Sequence, residues 1–235
     1  MSKVSRFKDR VHAGKLLAHA LDAYAGRADV VVLALPRGGV PVGYAVAREL
    51  DVDLDVLVVR KLGAPGQEEL AIGAVASGGI RVIHHDIVAE LGVPQQYVEA
   101  LAARKMAEVA QRDELFHGGR PPVTLEGRVA ILVDDGIATG ATMEAAVKAL
   151  HHAGLARVVV AVPVASTEAV HTLRPLVDQL VCLTVPEPFF AIGVWYDDFE
   201  QTSDAEVIDL LRRADAARRA DAAQLQGGGH AHPAP

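Results

Sequence analysis

Continuous apolar runs recur along the chain and alternate with stretches that have helical spacing. A short apolar run without polar alternation is typical of a strand buried on both faces of a parallel sheet. Runs of this kind cover residues 28–35, 54–59, 129–133, 158–162 and 179–185. We therefore predict a parallel sheet of about five strands.

Helical patterns fill the intervals between these runs. The predicted helices cover residues 9–25, 40–50, 87–91 and 94–116, a stretch ending near His152, a stretch from about Thr167, and a last helix that Ser203 and Glu206 begin as a capping box. Because strands alternate with helices, we expect an α/β fold with helices flanking the sheet, in one domain over residues 1–212. Residues 213–235 are predicted to hold the end of the last helix and a disordered tail.

A less regular segment lies between the second strand and the long helix. Residues 62–69 are rich in Gly and Pro and have the composition of a flexible lid, and Ser77-Gly78-Gly79 predicts a hairpin turn. We expect this hairpin, together with the C-terminal segment, to lie at the carboxyl edge of the sheet.

Composition narrows the function classes. Hydrophobic residues make up 51% of the chain and aromatic residues 4%, so the core must be aliphatic. The net charge of −7 argues against broad nucleic-acid binding, which normally needs a basic surface. The single cysteine, Cys182, excludes an internal disulfide, and its apolar setting indicates a small core residue rather than a nucleophile.

The chain also gives expectations about location. It contains no apolar run of about 18 residues, the length that a membrane-spanning helix needs. Its first residues lack the apolar centre of a signal peptide. We therefore expect a cytoplasmic protein without a membrane partner.

The most informative chemistry follows the apolar run 129–133. Two carboxylates, Asp134 and Asp135, stand at the predicted strand end, and a small-residue loop over 136–142 leads into a helix. The backbone N–H groups and threonine hydroxyls of such a loop can surround a phosphate at a helix N-terminus. The carboxylates would repel that phosphate, so they must face sugar hydroxyls or a divalent cation. A sugar phosphate satisfies both halves of the motif.

Three other interpretations of this motif fit the residues less well. A dinucleotide site needs G-x-G-x-x-G at a strand–helix junction, which the chain lacks. A P-loop needs Gly-Lys-Ser/Thr, and no lysine follows Gly140. An ordinary strand–turn–helix with surface aspartates explains the carboxylates but not the glycines and threonines after them.

Residues 129–142 resemble the phosphoribosyl-diphosphate (PRPP) motif of type I phosphoribosyltransferases. Over roughly residues 5–212 the chain is similar to bacterial members of this family whose acceptor is undefined. The resemblance implies that Asp134 and Asp135 engage the ribose hydroxyls, and contact Mg²⁺ only indirectly, through those hydroxyls or water. It also implies that the 5-phosphate is held by Gly136, Ile137, Ala138, Thr139, Gly140, Ala141 and Thr142.

Two further segments match the family's diphosphate site. Arg37, Gly38 and Gly39 follow the first strand, where some members have a non-proline cis peptide, and we predict one between Pro36 and Arg37. Arg60 and Lys61 match a basic pair near the diphosphate, with Lys61 in a catalytic role, beside a lid that excludes water. The alternatives are an exposed arginine in a turn and a salt-bridged surface pair.

Five of the ten aromatic residues lie within residues 189–199. This segment, part of a predicted hood over residues 186–202, resembles the base-binding hood of purine enzymes. The resemblance implies that Phe190 stacks on the acceptor and that Asp197 lies near the diphosphate or metal. The alternative is that the aromatics form a small satellite core or a dimer contact. Ala138 stands where hypoxanthine/guanine enzymes carry an aspartate, which argues against 6-oxopurine acceptors.

The resemblance implies a Mg²⁺-dependent transferase that moves phosphoribose from PRPP to a nitrogen of a small heteroaromatic acceptor and works as a homodimer. A PRPP- or nucleotide-sensing regulator and a hydrolase of phosphoribosyl compounds are the alternatives.

Overall fold

The computed structural model describes residues 6–227 of the 235-residue chain. Its strands are β1 (Val30–Ala34), β2 (Asp53–Val56), β3 (Val59–Ala64), β4 (Gln67–Ala76), β5 (Ile80–Ile83), β6 (Val129–Val133), β7 (Arg157–Val164) and β8 (Gln179–Thr184). Its α-helices are α1 (Arg10–His19), α2 (Gly39–Leu50), α3 (His85–Glu90), α4 (Gln95–His117), α5 (Ala141–Leu150), α6 (Thr167–Leu173) and α7 (Asp204–Gly227).

Five of these strands form the predicted parallel sheet, in the order β2-β1-β6-β7-β8. In the central register Ala34 pairs with Val133, and Val133 pairs with Ala161. The segments that follow β1 and β6 therefore leave the sheet side by side at its carboxyl edge. The α/β fold with a five-stranded sheet is confirmed.

Helices cover both faces of this sheet, which explains the unbroken apolar runs. On β1, Val30 and Val32 face a layer that includes α2, α4 and α7, whereas Val31 and Leu33 face the layer of α5 and α6. All five residues of β1 are buried, as are all five of β6. Since both faces of each strand are covered, polar alternation is excluded by the cost of burying unpaired polar groups.

The lid segment is more regular than its composition predicts. Residues 62–69 were expected to form a loop, but β3 and β4 pair across it in an antiparallel hairpin that turns at Pro65-Gly66. The cause is the alternation of buried Leu62 and Ala64 with more exposed neighbours, which anchors the strand. Strand β5 completes a three-stranded sheet after the predicted turn at Ser77-Gly78-Gly79.

The last helix begins as predicted, because the Ser203 hydroxyl oxygen accepts a hydrogen bond from the Glu206 N–H at 3.1 Å. It continues to Gly227, and residues 228–235 of the predicted tail lie outside the described residues. Cys182 is half-buried on β8, where burial raises the pKa of its thiol to about 11. None of the helices in the described part of the chain combines the length and apolar character needed to span a bilayer.

Candidate functional site

The acidic pair lies directly against the loop that follows β1. A Cβ on Gly38 would overlap the Asp135 carboxylate, and a Cβ on Gly39 would lie 2.8 Å from the carbonyl oxygen of Val133. The close approach of the two backbones therefore requires glycine at position 39, and glycine at position 38 leaves room for the Asp135 carboxylate. The peptide bond between Pro36 and Arg37 is cis, which confirms the prediction for this loop.

The two carboxylates share a site that disfavours two full negative charges. Burial, and then the neighbouring charge of Asp135, raise the pKa of Asp134 well above its usual value. Burial also raises the pKa of Asp135, although a hydrogen bond from Arg10 opposes this shift. The Asp134 Oδ1 atom accepts a hydrogen bond from the Asp135 N–H at 2.8 Å, which fixes the first carboxylate.

The N-terminal segment and the C-terminal segment cover Asp135 together. Arg10 Nε donates to Asp135 Oδ2 at 2.8 Å, and the Tyr196 hydroxyl donates to the Asp135 carbonyl oxygen at 2.6 Å. Phe7 N–H donates to the Trp195 carbonyl oxygen at 2.8 Å. Asp135 is consequently only 8% exposed. We call residues 186–202 the hood segment.

The loop after the acidic pair is tied to the start of α6. Ile137 N–H donates to the Val164 carbonyl oxygen at 2.9 Å, and the Ser166 hydroxyl donates to the Ala138 carbonyl oxygen at 2.6 Å. A Cβ on Gly136 would lie 2.7 Å from Ile192 Cγ2 in the hood segment. The loop is therefore held at a close approach to the hood.

Helix α5 begins at this loop, where the Ala141 N–H donates a long hydrogen bond of 3.5 Å to Thr139 Oγ1. Gly140 occupies the N-cap position with a φ of 82°, so the backbone enters the helix through the left-handed region. Thr139 and Thr142 are exposed on either side of it. The first-turn N–H groups together with these hydroxyls form a donor set that suits an anion.

A cavity of about 490 Å³ lies between the β3–β4 hairpin, α4 and the start of α5. Four cationic residues line it, and we call it the cationic cavity: Arg60, Lys61, Arg104 and Lys105. Thr139, Ala141 and Thr142 supply its wall on α5. The cavity thus concentrates positive charge in a chain whose net charge is −7. A ligand with negative groups matches this arrangement.

Acidic side chains moderate the charge of the cationic cavity. Glu68 also lines it, on the hairpin. Glu108 Oε2 lies 2.9 Å from Lys105 Nζ and 3.8 Å from Arg60 Nε. The interpretation of Arg60 as a salt-bridged surface residue is therefore partly correct. The same residue also lines the cationic cavity.

The predicted site residues fall into two groups rather than one. The acidic pair and the Gly38–Gly39 turn form the first group, and the cavity residues form the second. Arg37 belongs to neither group, because its Nη1 atom lies 3.7 Å from Oδ1 of Asp204 at the start of α7. Asp197 lies 3.9 Å from Arg6, and Phe190 is 79% exposed on the hood segment.

Some aromatic residues of the hood segment are buried in a small cluster, and others are exposed. Tyr196 is buried in a small cluster with Phe7, with ring centroids 5.3 Å apart, so the satellite-core interpretation holds for Tyr196. Phe190 remains open to a ligand.

Several residues of the site were missed from the sequence. Arg10 contacts the acidic pair, and Tyr97, Arg104 and Lys105 on α4 line the cavity. The predicted helix over 94–116 gave no sign of which helix face meets the hairpin. In the structure Asp9 caps the helix that carries Arg10, because its side chain accepts from the His12 N–H at 2.7 Å, but this cap does not indicate a contact with the acidic pair.

A comparison with protein families gives one match over most of the chain. The profile of the family described as "Phosphoribosyl transferase domain" matches residues 6–198. Two relatives from Mycobacterium tuberculosis, one from strain CDC 1551 / Oshkosh and one from strain ATCC 25618 / H37Rv, are each 47% identical over 208 residues, or 88% of this chain. Their names give phosphoribosyl transferase as a provisional assignment and state no acceptor. The alignment spans only 47% of their own length.

A solved structure has the same architecture. The crystal structure of a protein from Thermus thermophilus superimposes with a TM-score of 0.81 at 48% identity. It covers 88% of this chain and 97% of its own.

Proposed function

We propose that this chain, which belongs to the phosphoribosyl transferase family, transfers the 5-phosphoribosyl group of PRPP to a nitrogen of a small heteroaromatic acceptor and releases pyrophosphate. The observation that carries the proposal is the pairing of two unlike regions at one sheet edge. The acidic pair, with Asp135 buried and Asp134 half-buried, lies against a glycine turn, and the adjoining loop opens onto a cationic cavity. The ribose hydroxyls of PRPP match the acidic pair, and its phosphates match the glycine turn, the loop and the cationic cavity.

The acidic pair is suited to the ribose and to the charge that develops on it. Asp134 and Asp135 would accept hydrogen bonds from the ribose hydroxyls. In the transfer, the bond from C1 to the diphosphate breaks as the acceptor nitrogen bonds to C1, and positive charge develops on the ring. Fixed carboxylates in a poorly solvated site stabilise such charge strongly, and they need no reorganisation at the moment of reaction.

The anionic ends of PRPP find donors elsewhere at this edge. The 5-phosphate would bind at residues 137–142 through the first-turn N–H groups of α5 and the hydroxyls of Thr139 and Thr142, whereas the Ile137 N–H is already bonded to Val164. Lys61 and the Gly38–Gly39 turn would hold the diphosphate. The cationic cavity concentrates charge beside both. This local positive charge would attract an anionic substrate, although the chain as a whole has a net charge of −7.

The residues at this edge also fit an indirect Mg²⁺ site. Within residues 6–227, no group of three or more His, Cys, Asp or Glu side chains is arranged to hold a metal ion. Mg²⁺ commonly keeps several water and substrate oxygens as ligands, so Asp134 and Asp135 would contact the ion only through water or the ribose hydroxyls. When bound, the ion would neutralise charge on the departing diphosphate.

The acceptor would lie under the hood segment. Phe190 exposes 79% of its surface and offers a flat face for stacking. Ala138 provides no carboxylate for a proton on the acceptor, so the acceptor must arrive as an anion or meet a base from another group. We further propose a homodimer in the cytoplasm, which sedimentation and cell fractionation can check.

The experiment is a screen of nucleobases and related heteroaromatic compounds with PRPP and Mg²⁺, with detection of released pyrophosphate. Release that depends on the acceptor supports the transferase. Release without any acceptor indicates the hydrolase, and PRPP binding without turnover indicates the sensing protein. If calorimetry shows no PRPP binding, the proposal is wrong.

A further inference from the structure

Arg10 joins three parts of the candidate site. Its side chain is only 11% exposed. Nε donates to Asp135 Oδ2 at 2.8 Å, and Nη1 donates to the Glu200 carbonyl oxygen at 2.7 Å. The guanidinium carbon lies 3.9 Å from the ring centroid of Phe199. One planar side chain thus connects the start of α1, the acidic pair and the hood segment.

The position of Arg10 is set by a rigid helix rather than by a loop. Asp9 caps α1, and Leu17 is fully buried on its inner face. Gly14 brings α1 onto α2 so closely that a Cβ there would lie 2.5 Å from the Val42 carbonyl oxygen. Helix α2 starts at the Gly38–Gly39 turn, so Arg10 and that turn share one packed unit. Groups held this way orient a site well.

The ion pair between Arg10 and Asp135 is unlike the exposed pairs of the chain. Both side chains are 11% exposed, so the attraction is little screened by solvent. Asp135 also stands beside Asp134, whose charge repels it. Without Arg10, a buried carboxylate would face a like charge with no cation beside it, which is strongly unfavourable.

We propose that Arg10 is a positioning residue for phosphoribosyl transfer, which orients the Asp135 carboxylate and fastens the hood segment over the acidic pair. The kinetic part of this inference rests on the proposed function. Because Oδ2 is committed to Arg10, Asp135 meets the ribose through its other oxygen. Arg10 itself acts through Asp135 and does not contact the reacting atoms.

The first test needs no ligand. Amide hydrogen exchange in residues 196–202 is compared between the wild type, Arg10→Gln, Arg10→Lys and the control Arg6→Gln. Arg6 is exposed, and its Nε donates to the Val194 carbonyl oxygen at 2.8 Å, so the control removes a cation that contacts the hood segment but not the acidic pair. Exchange should rise by roughly tenfold or more in Arg10→Gln, by less in Arg10→Lys, and not in Arg6→Gln. Unchanged exchange in Arg10→Gln overturns the proposal.

The second test separates kcat from KM. For Arg10→Gln, kcat should fall roughly tenfold or more while KM for PRPP changes by less than about threefold, because the phosphate-binding loops keep their contacts. Arg10→Lys should recover part of kcat because it keeps the charge. A change confined to KM, or an equal loss in Arg6→Gln, overturns the proposal. A wild type that does not bind PRPP rejects the proposed function instead, and hydrogen exchange still decides the role of Arg10.

Discussion

The acidic pair and the cationic cavity are built in opposite ways. Asp135 is enclosed, with Arg10 and Tyr196 bound to it and two glycines packed against the pair. The cationic cavity is open, about 490 Å³ in volume, and its arginines and lysines lie on a hairpin and a long helix. The comparison indicates a division of labour. Under the proposed function, the enclosed groups would hold a fixed geometry at the ribose, and the open groups would attract phosphates that arrive and leave.

The largest expected effect lies in the enclosed region. Replacing both Asp134 and Asp135 with Asn removes charges that interact with the transition state, so kcat should fall by more than about 10²-fold. Pyrophosphate release checks this, with circular dichroism as the test of folding. The control is Asp86→Asn, an exposed carboxylate on α3. Turnover at the wild-type rate in the double variant would remove the acidic pair from the mechanism.

The second largest effect is expected at the proposed acceptor site. Stacking is worth on the order of 1–3 kcal/mol per base, so Phe190→Ala should weaken acceptor affinity by roughly 5- to 150-fold and leave PRPP affinity nearly unchanged. The acceptor KM and the PRPP dissociation constant measure the two effects. Phe189→Ala is the neighbouring control, since Phe189 packs against the buried cluster of Phe7 and Tyr196.

The proposed acceptor site gives a second test, by choice of substrate. Because Ala138 cannot serve as a proton acceptor, hypoxanthine and guanine should be poor substrates at neutral pH. Efficient guanine transfer would show that the inference from Ala138 is wrong. In the Phe190→Ala test above, an unchanged acceptor KM would mean that the Phe190 side chain has no role in acceptor binding.

The hairpin should show the mobility that distinguishes the open region. Residues 62–69 turn at Pro65-Gly66, and nothing lies within 4 Å of a Cβ built on Gly66. We expect their amides to exchange at least about tenfold faster in the free protein than with PRPP and Mg²⁺. Slow exchange in the free protein that does not change when PRPP and Mg²⁺ are added would contradict a lid. Residues 129–133 in the buried strand are the internal control.

A single cation of the cavity should have a smaller effect. Arg104→Gln removes one of four cations, so PRPP affinity should fall by about fivefold, equivalent to about 1 kcal/mol. The loss should shrink at high salt because open charges are screened. The exposed Arg48→Gln on α2 is the matched control. A fall in kcat with unchanged PRPP affinity would contradict the proposal that the cationic cavity binds phosphates and the acidic pair acts in the transition state.

The smallest effect concerns stability, in a third region. A hydrogen bond to Asp55 raises the pKa of His117, with Nε2 and Oδ1 2.8 Å apart. A raised folded pKa contributes stability that is complete below the unfolded value, near 6.5, and is lost as pH rises through the folded value. The free energy of unfolding in urea should therefore decline above neutral pH.

The matched variants locate this effect. The decline above neutral pH should be weaker in His117→Gln and unchanged in the exposed His152→Gln. An identical pH profile in His117→Gln and the wild type would assign the decline to other groups.

Much of the fold followed from local patterns, because a strand covered on both faces must be apolar throughout. The edge position of Asp134 and Asp135 followed in the same way. The hairpin over 62–69 was mistaken for a loop, since its Gly and Pro content obscured the buried alternation of the strand. Arg10 and the cations of α4 were not predictable, because their roles depend on how helices pack over long sequence separations. Arg10 and Asp135 are 125 positions apart.

The most direct test of the account is a crystal structure of the protein soaked with PRPP and Mg²⁺. We predict density for the 5-phosphate at residues 137–142, for the ribose hydroxyls within hydrogen-bond distance of Asp134, and for the diphosphate at the Gly38–Gly39 turn. PRPP bound away from the acidic pair, or no PRPP at saturating concentration, would contradict the account.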